Sequence, residues 1–464
     1  MPINNFLLPG AKVTTAYKVA NSCRFNDGDL ACMHKTPSSS GNRRTFTFST
    51  WVKKTNILST NVYNDLYSAY VDANNISRLL FWDGNEVVVS NKVGGSFPTF
   101  IRTNRRSRDP SAWLHICIAI DTTDSTEANR VKIYVNGTQQ TSFAQDVYPS
   151  QNEDFFLNHT NEHNIGQQGD DDSALYFDGY LAETVMIDGL QLAPTSFGEF
   201  DEDSPNIWKP KDVSGLTFGT NGFYLDYEDS SNLGNDKNGG TDFTEVNLAT
   251  TDQSTDTPTL NYSTLNPLDV NPSNTNTFAE GNLKLETNGV GARSTIAVEN
   301  GRWYCEVKHV ENTCWNGIKD MSSPITGYIN SVLLYTAGAT LYIDGANQGS
   351  GGYGGAWSAN DILMMALDLE SGTKKLYYGK NGNWWDTDAF DAASPTTGIT
   401  LDDNVTYGFW STSGSGDPVA EWNFGSPAYS ISSGNSDANG YGNFEYSVPS
   451  NYYALNTKNL AEYG

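Results

Sequence analysis

The feature that most constrains this chain is strict alternation of apolar and other residues over strand-length windows. Leu114, Ile116, Ile118 and Ile120 alternate in one window, and Val131, Ile133 and Val135 in the next. In an extended chain successive side chains point to opposite faces, so each window presents one apolar face. The second window runs into Asn136-Gly137, the dipeptide that best tolerates the two left-handed positions of a tight hairpin. Lys375–Tyr378 leads into Asn381-Gly382 in the same way. Phe46 and Phe48 alternate in Arg44–Val52, with a register shift near Trp51. Asp178–Ile187, Asn282–Glu286, Trp303–Val307, Tyr407–Trp410 and Val419–Phe424 are further strands. Ile362–Leu369 is apolar on both faces, as a central strand must be. No long run has a helical period.

The expected fold class is therefore all-β: two β-sandwich, jelly-roll-like domains joined by an irregular connector. A length of 464 residues suits two or three domains. The boundaries read as an N-terminal docking segment over 1–19, a first sandwich over 20–195, a connector over 196–277 and a second sandwich over 278–464. Within the connector, Thr250–Thr277 is rich in Thr, Asn, Asp, Ser and Pro and reads as a linker.

A net charge of -26 argues against nucleic acid as a partner. The cationic cluster Arg102, Arg105, Arg106 and Arg108 reads as a surface loop. No stretch of 18 apolar residues occurs, so membrane insertion is not expected. Met1–Lys12 lacks the pattern of a secretory signal, which points to synthesis in a cytoplasm. Five cysteines are present (Cys23, Cys32, Cys117, Cys305 and Cys314), without zinc-ligand spacing. Buried free thiols are expected; bridges Cys23–Cys32 and Cys305–Cys314 remain the alternative.

Catalytic patterns are poor. Glu199, Asp201 and Asp203 space carboxylates as some glycosidases do, but the segment falls after the last strand of the first sandwich. His159-Thr-Asn-Glu162-His163 has a zinc-protease spacing that requires a helix, and its neighbours read as a loop entering a strand. No catalytic residue is assigned, and the chain reads as a non-enzyme.

Ligand binding is the better reading. A sugar ring needs a flat aromatic face and nearby polar groups. Tyr353 and Trp357 in a glycine-rich stretch, Trp384 of the Trp384-Trp385 pair, and Trp82 with Asp83 and Asn85 are the candidates. One tryptophan of the adjacent pair should face outward. Trp51, Trp113, Trp303 and Trp422, inside strand motifs, read as packing residues. Asp170, Asp171 and Asp172 form an acidic turn able to supply calcium with oxygen ligands, and Asn26, Asp27 and Asp29 form a second.

Phe25-Asn26-Asp27-Gly28-Asp29, Thr45–Lys53, Trp113-Leu114-His115, Val131–Gly137 and Asp178–Asp188 together resemble a concanavalin-like, laminin-G-type lectin domain. Gly301–Val307, Asp361–Glu370, Tyr377–Gly382 and Trp422-Asn423-Phe424-Gly425 resemble a SPRY domain, with Gly345–Trp357 as an insertion-like departure. The pairing, with Phe197–Asp203, Trp208–Phe223 and Thr255–Pro267 between, is similar to virion proteins of marine tailed bacteriophages. That resemblance implies a particle-borne adhesin at a tail fibre or on the head, binding a host-surface glycan or receptor through sandwich edge loops. The alternative is a purely structural decoration or connector whose aromatics meet other virion proteins. It further implies a homo-oligomer, trimeric in a fibre, docked by Met1–Thr15, with calcium at a sandwich rim.

Overall fold

In the computed structural model the described residues are 17–58, 61–169, 175–311, 314–349, 353, 357–387, 389–413 and 418–464. The docking segment Met1–Thr15 and the acidic turn Asp170, Asp171 and Asp172 lie outside them.

The fold is all-β, built from antiparallel sheets stacked in pairs. In the first sandwich one sheet orders its strands Thr138–Gln139, Val131–Val135, Trp113–Asp121, Thr45–Lys54, Gly179–Asp188, Ser22–Phe25 and Gln253–Ser254. The facing sheet runs from Phe143–Val147 through Ser96–Arg106, Glu86–Val93, Asn75–Phe81, Asn64–Asp72, Glu162–Ile165 and Cys32–Lys35 to Thr244–Val246. Ile116, Ile118, Ile120, Val131, Ile133 and Val135 all enter the core between them, as their alternation requires. Asn136 and Gly137 take φ of 48° and 74° and pair Val135 with Thr138, a two-residue hairpin. The register shift near Trp51 arises across the strand pair. Trp51 faces Ala182 and Ser49 faces Val185, so Gly179–Asp188 carries one extra residue, with Glu183 at φ 49°.

The second sandwich stacks a sheet containing Val290–Val298, Tyr407–Thr412, Trp315–Asp320, Ser331–Tyr335 and Thr340–Ile343 on a larger one. The larger sheet centres on Arg302–His309, Ile362–Asp368 and Lys375–Lys380. Ile362–Asp368 is buried on both faces. Leu363, Met365 and Leu367 enter the main core. Met364 and Ala366 pack on the other side with Tyr304, Trp384 and Phe444. The second expected hairpin is also present, with Lys380 paired to Asn383 across Asn381-Gly382. Trp51, Trp113, Trp303 and Trp422 are buried packing residues, and all five cysteines are buried and free.

The stretch 196–277 is largely irregular, but short strands within it join the sheets of both sandwiches. Phe223–Leu225, Thr244–Val246 and Gln253–Ser254 add strands to the first sandwich, and Leu265–Val270 and Thr275–Ala279 add strands to the second. Phe197, Val213, Phe218 and Tyr224 cover the outer face of the first sheet over Cys117, Val185 and Ile187. The polar composition misleads because its polar groups are buried with partners. Asp256 is 1% exposed and takes Lys53 Nζ at 2.6 Å and Trp113 Nε1 at 2.9 Å. Lys53 spends its other two protons on Asn261 Oδ1 at 2.8 Å and the Tyr262 carbonyl at 3.0 Å. Tyr262 in turn packs beneath the second sandwich with Tyr304 and Trp384.

Other bonds cross the same joint. Arg24, fully buried, reaches Glu280 at 3.2 Å and the Thr251 carbonyl at 2.6 Å. Tyr180 Oη donates to the Gly281 carbonyl at 3.0 Å. A Cβ on Gly281, at φ 68°, would stand 1.9 Å from that oxygen, so only glycine fits.

Removing one member of the Lys53–Asp256 pair leaves a buried charge uncompensated. Lys53→Met should cost about 3–5 kcal/mol, and adding Asp256→Leu should recover part of it. Urea unfolding of the single and double variants measures both values.

Candidate functional site

The sequence-based candidates separate once placed in the fold. Asn85 sits at φ 69° in the turn after Asn75–Phe81 and is completely buried. Its Oδ1 accepts from Lys54 Nζ at 2.5 Å and from the Leu58 amide at 3.0 Å, so it braces the interior and faces no ligand. Trp82 is half-buried, 4.4 Å from Tyr63 and 5.2 Å from Phe100, ring centre to ring centre. Asp83 is half-buried beside them and helps burial raise the Tyr63 hydroxyl above its ordinary pKa.

In the second sandwich, Trp384 is the inward member of its pair, 3% exposed and packed towards Tyr304. Trp385 is half-buried and stacks on Tyr353 at 4.4 Å. Trp357 is only 4% exposed, with Lys380 Nζ 4.8 Å from its ring centre and His309 at 5.3 Å. Burial removes the ring faces of Trp384 and Trp357 from any sugar. Tyr353 and Trp385 remain partly exposed, while the Lys380–Asp361 ion pair, at 3.0 Å, lies by the Trp357 ring.

A further partly exposed aromatic group lies elsewhere. Trp315, Tyr335 and Tyr342 stand on adjacent strands of the smaller sheet of the second sandwich, on its outward face. Trp315 is 4.6 Å from each tyrosine ring and 5.9 Å from Tyr328, with tilts of 30°, 34° and 36°. All four rings are half-buried. Trp410 lies buried beside them, with Lys319 Nζ 4.6 Å from its ring centre. Hairpin register brings Tyr335 opposite Thr340 and places Tyr342 two residues further on the same face. Ser331–Tyr335 and Thr340–Ile343 carry apolar residues on both faces, so no alternation marks this face in the sequence.

The catalytic patterns resolve into structural roles. Glu199 and Asp201 flank Lys209 at 3.5 and 3.3 Å on the Gly198–Phe200 and Trp208–Pro210 hairpin. His163 lies in the strand Glu162–Ile165. Its Nε2 accepts from the Asn158 amide at 2.9 Å, and its Nδ1 lies 2.9 Å from the Asn161 carbonyl, so both ring nitrogens are engaged. Burial holds its pKa down to about 4. Among the described residues, no three His, Cys, Asp or Glu side chains gather as metal ligands.

The bulge of Gly179–Asp188 carries a buried acid. Glu183, 5% exposed at the bulge, accepts hydrogen bonds from Tyr17 at 3.0 Å and Tyr224 at 2.8 Å. Burial pushes its pKa from 4.5 to about 7, against the pull of the two hydroxyls. Asp226 and Glu228 add a smaller push in the same direction.

Residues 30–189 match the family model Laminin_G_3, described as the Concanavalin A-like lectin/glucanases superfamily. A search of curated proteins gives no match. Among solved structures, a Bacteroides ovatus protein assigned as carbohydrate binding is similar at 15% identity and a TM-score of 0.34, over 49% of this chain and 58% of that one. The heptameric SAP-like pentraxin of Limulus polyphemus is similar at 14% identity and 0.27, over 38% and 80%. The SPRY domain of human HERC1 is similar at 14% and 0.24, over 34% and 96%. These three likenesses are of fold alone.

The raised Glu183 pKa has a signed consequence. The folded chain keeps a proton that the unfolded chain releases above its ordinary value. Stability therefore falls as pH rises from about 4.5 to about 7, by up to roughly 3 kcal/mol from this group. Glu183→Gln should remove that share, as read from urea midpoints across the same pH range.

Proposed function

We propose that this chain is a non-enzymatic glycan-binding protein, carried on a tailed-phage particle as an adhesin. The observation that carries the reading is the outward platform of Trp315, Tyr335 and Tyr342. Half-exposed rings on a rigid sheet offer apolar faces to a pyranose without first having to be ordered. Tyr353 and Trp385, in the same sandwich, form a second stacking point. The lectin-type match over residues 30–189 supports binding as the task. Many copies on one particle would convert weak sites into firm attachment.

A purely structural role in the particle has its own support. Ile329, beside Tyr328, is 68% exposed, and an apolar residue next to the platform suits a protein neighbour.

Immobilised glycans probed with the assembled protein distinguish the two. Under the adhesin reading, Trp315→Ala weakens binding roughly two- to ten-fold per site, the share of one aromatic stack. Trp51→Phe, a core change, leaves it unaltered. Absence of glycan binding, with the platform covered by a neighbouring subunit in the particle, would establish the structural role instead.

A further inference from the structure

The side chains of Asn85 and Lys54 meet inside the first sandwich, in residues 0% and 1% exposed. Lys54 ends the strand Thr45–Lys54 of one sheet. Asn85 stands in the turn between Asn75–Phe81 and Glu86–Val93 of the facing sheet. Lys54 Nζ lies 2.5 Å from Asn85 Oδ1. The Phe81 ring covers the same nitrogen, its centre 4.7 Å away. The Asn85 main chain is fixed as well. Its amide donates to the Trp82 carbonyl at 2.7 Å, and its carbonyl accepts from the Ser107 amide at 2.9 Å. The two groups are thus held together before any reaction, which removes most of the entropy cost of bringing them into contact.

Their surroundings suit acyl transfer. The Leu58 amide also donates to Asn85 Oδ1, at 3.0 Å. A backbone N–H aimed at a carbonyl oxygen stabilises the negative charge that grows there when a nucleophile adds to the carbon. The nucleophile must be an amine, because an ammonium has no lone pair to give. Burial draws the Lys54 pKa down to about 7, opposed by Asp178 and Glu86 and aided by Arg108, so the free amine is well populated at neutral pH. Asp178 is itself pushed up to about 8, by burial first and then by Asp27, with the Thr55 hydroxyl pulling the other way. It is therefore largely protonated at pH 7 and does not hold Lys54 as an ammonium.

We propose that Lys54 and Asn85 join through an isopeptide bond. Lys54 Nζ adds to Asn85 Cγ, and the oxyanion on Oδ1 rests against the Leu58 amide. A proton passes from Nζ to Nδ2. The Cγ–Nδ2 bond then breaks, releasing ammonia and leaving a secondary amide between the two side chains. Nothing is oxidised or reduced, and no further reactant enters. The link closes a loop between residues 31 apart and ties one sheet of the sandwich to the other. A pulling load on that loop would then fall on a covalent bond instead of on core packing.

Intact-mass spectrometry of the denatured full chain tests this. Wild type should weigh one ammonia less than its sequence requires. Proteolysis should yield a branched peptide joining Lys54 to Asn85, with fragmentation placing the branch on Lys54 and not on Lys53. Hydroxylamine opens the cyclic imide that an asparagine forms when it loses ammonia alone; the branched peptide should survive it. Lys54→Arg keeps a charge and a donor towards Asn85 but removes the nucleophile. That variant should show its full sequence mass and no branched peptide, whereas Trp315→Ala should keep both signatures of the wild type. A wild type at full mass without the branched peptide would overturn the proposal, as would an ammonia loss that persists in Lys54→Arg.

Discussion

The ammonium of Lys53 is the point on which the molecule turns. It is buried in a strand of the first sandwich, and its three protons are spent on Asp256, Asn261 and the Tyr262 carbonyl. A buried ammonium is tolerable only when every proton has an acceptor and its charge has a partner. Those acceptors come from the segment leading into the second sandwich. The segment is therefore fixed in place, and the strands and joint contacts that follow inherit its position. Hydrophobic area alone would have permitted many placements of one sandwich on the other; directional hydrogen bonds to a desolvated charge permit few.

This explains what the sequence displayed and what it concealed. Period-two alternation and the two Asn-Gly turns displayed the strands, because side-chain direction and left-handed turn geometry are local properties. The double-sided burial of Ile362–Asp368 was legible for the same reason. The stretch 250–277 was not. Thr, Ser, Asn and Asp look solvated in a sequence, and only tertiary partners such as Lys53 and Trp113 make their burial affordable. Asn85 misled likewise: it looked like a sugar-gripping amide, yet its partner is a lysine 31 residues away.

The aromatic candidates show how far local rules reach. Alternation required one member of the Trp384-Trp385 pair to face outward but could not say which. The answer depends on Tyr304 and Phe444, which build a second apolar layer outside the larger sheet and draw Trp384 in. The Trp315 platform depends on three strands coming side by side, a relation between segments that no single window contains. Sites assembled across strands are read from register, and register is known only when the sheet is.

The five buried thiols carry a final consequence. Cys23, Cys117, Cys305 and Cys314 are all held towards the protonated form by burial. A thiol without its thiolate reacts slowly with oxidants and disulfides. The fold uses no covalent staple that a reductant might cut, since all five cysteines are free. Unfolding reverses this at once, releasing five nucleophiles that can cross-link neighbouring chains. Heat damage in air should therefore be hard to undo, and recovery of the native form should depend on keeping a reductant present.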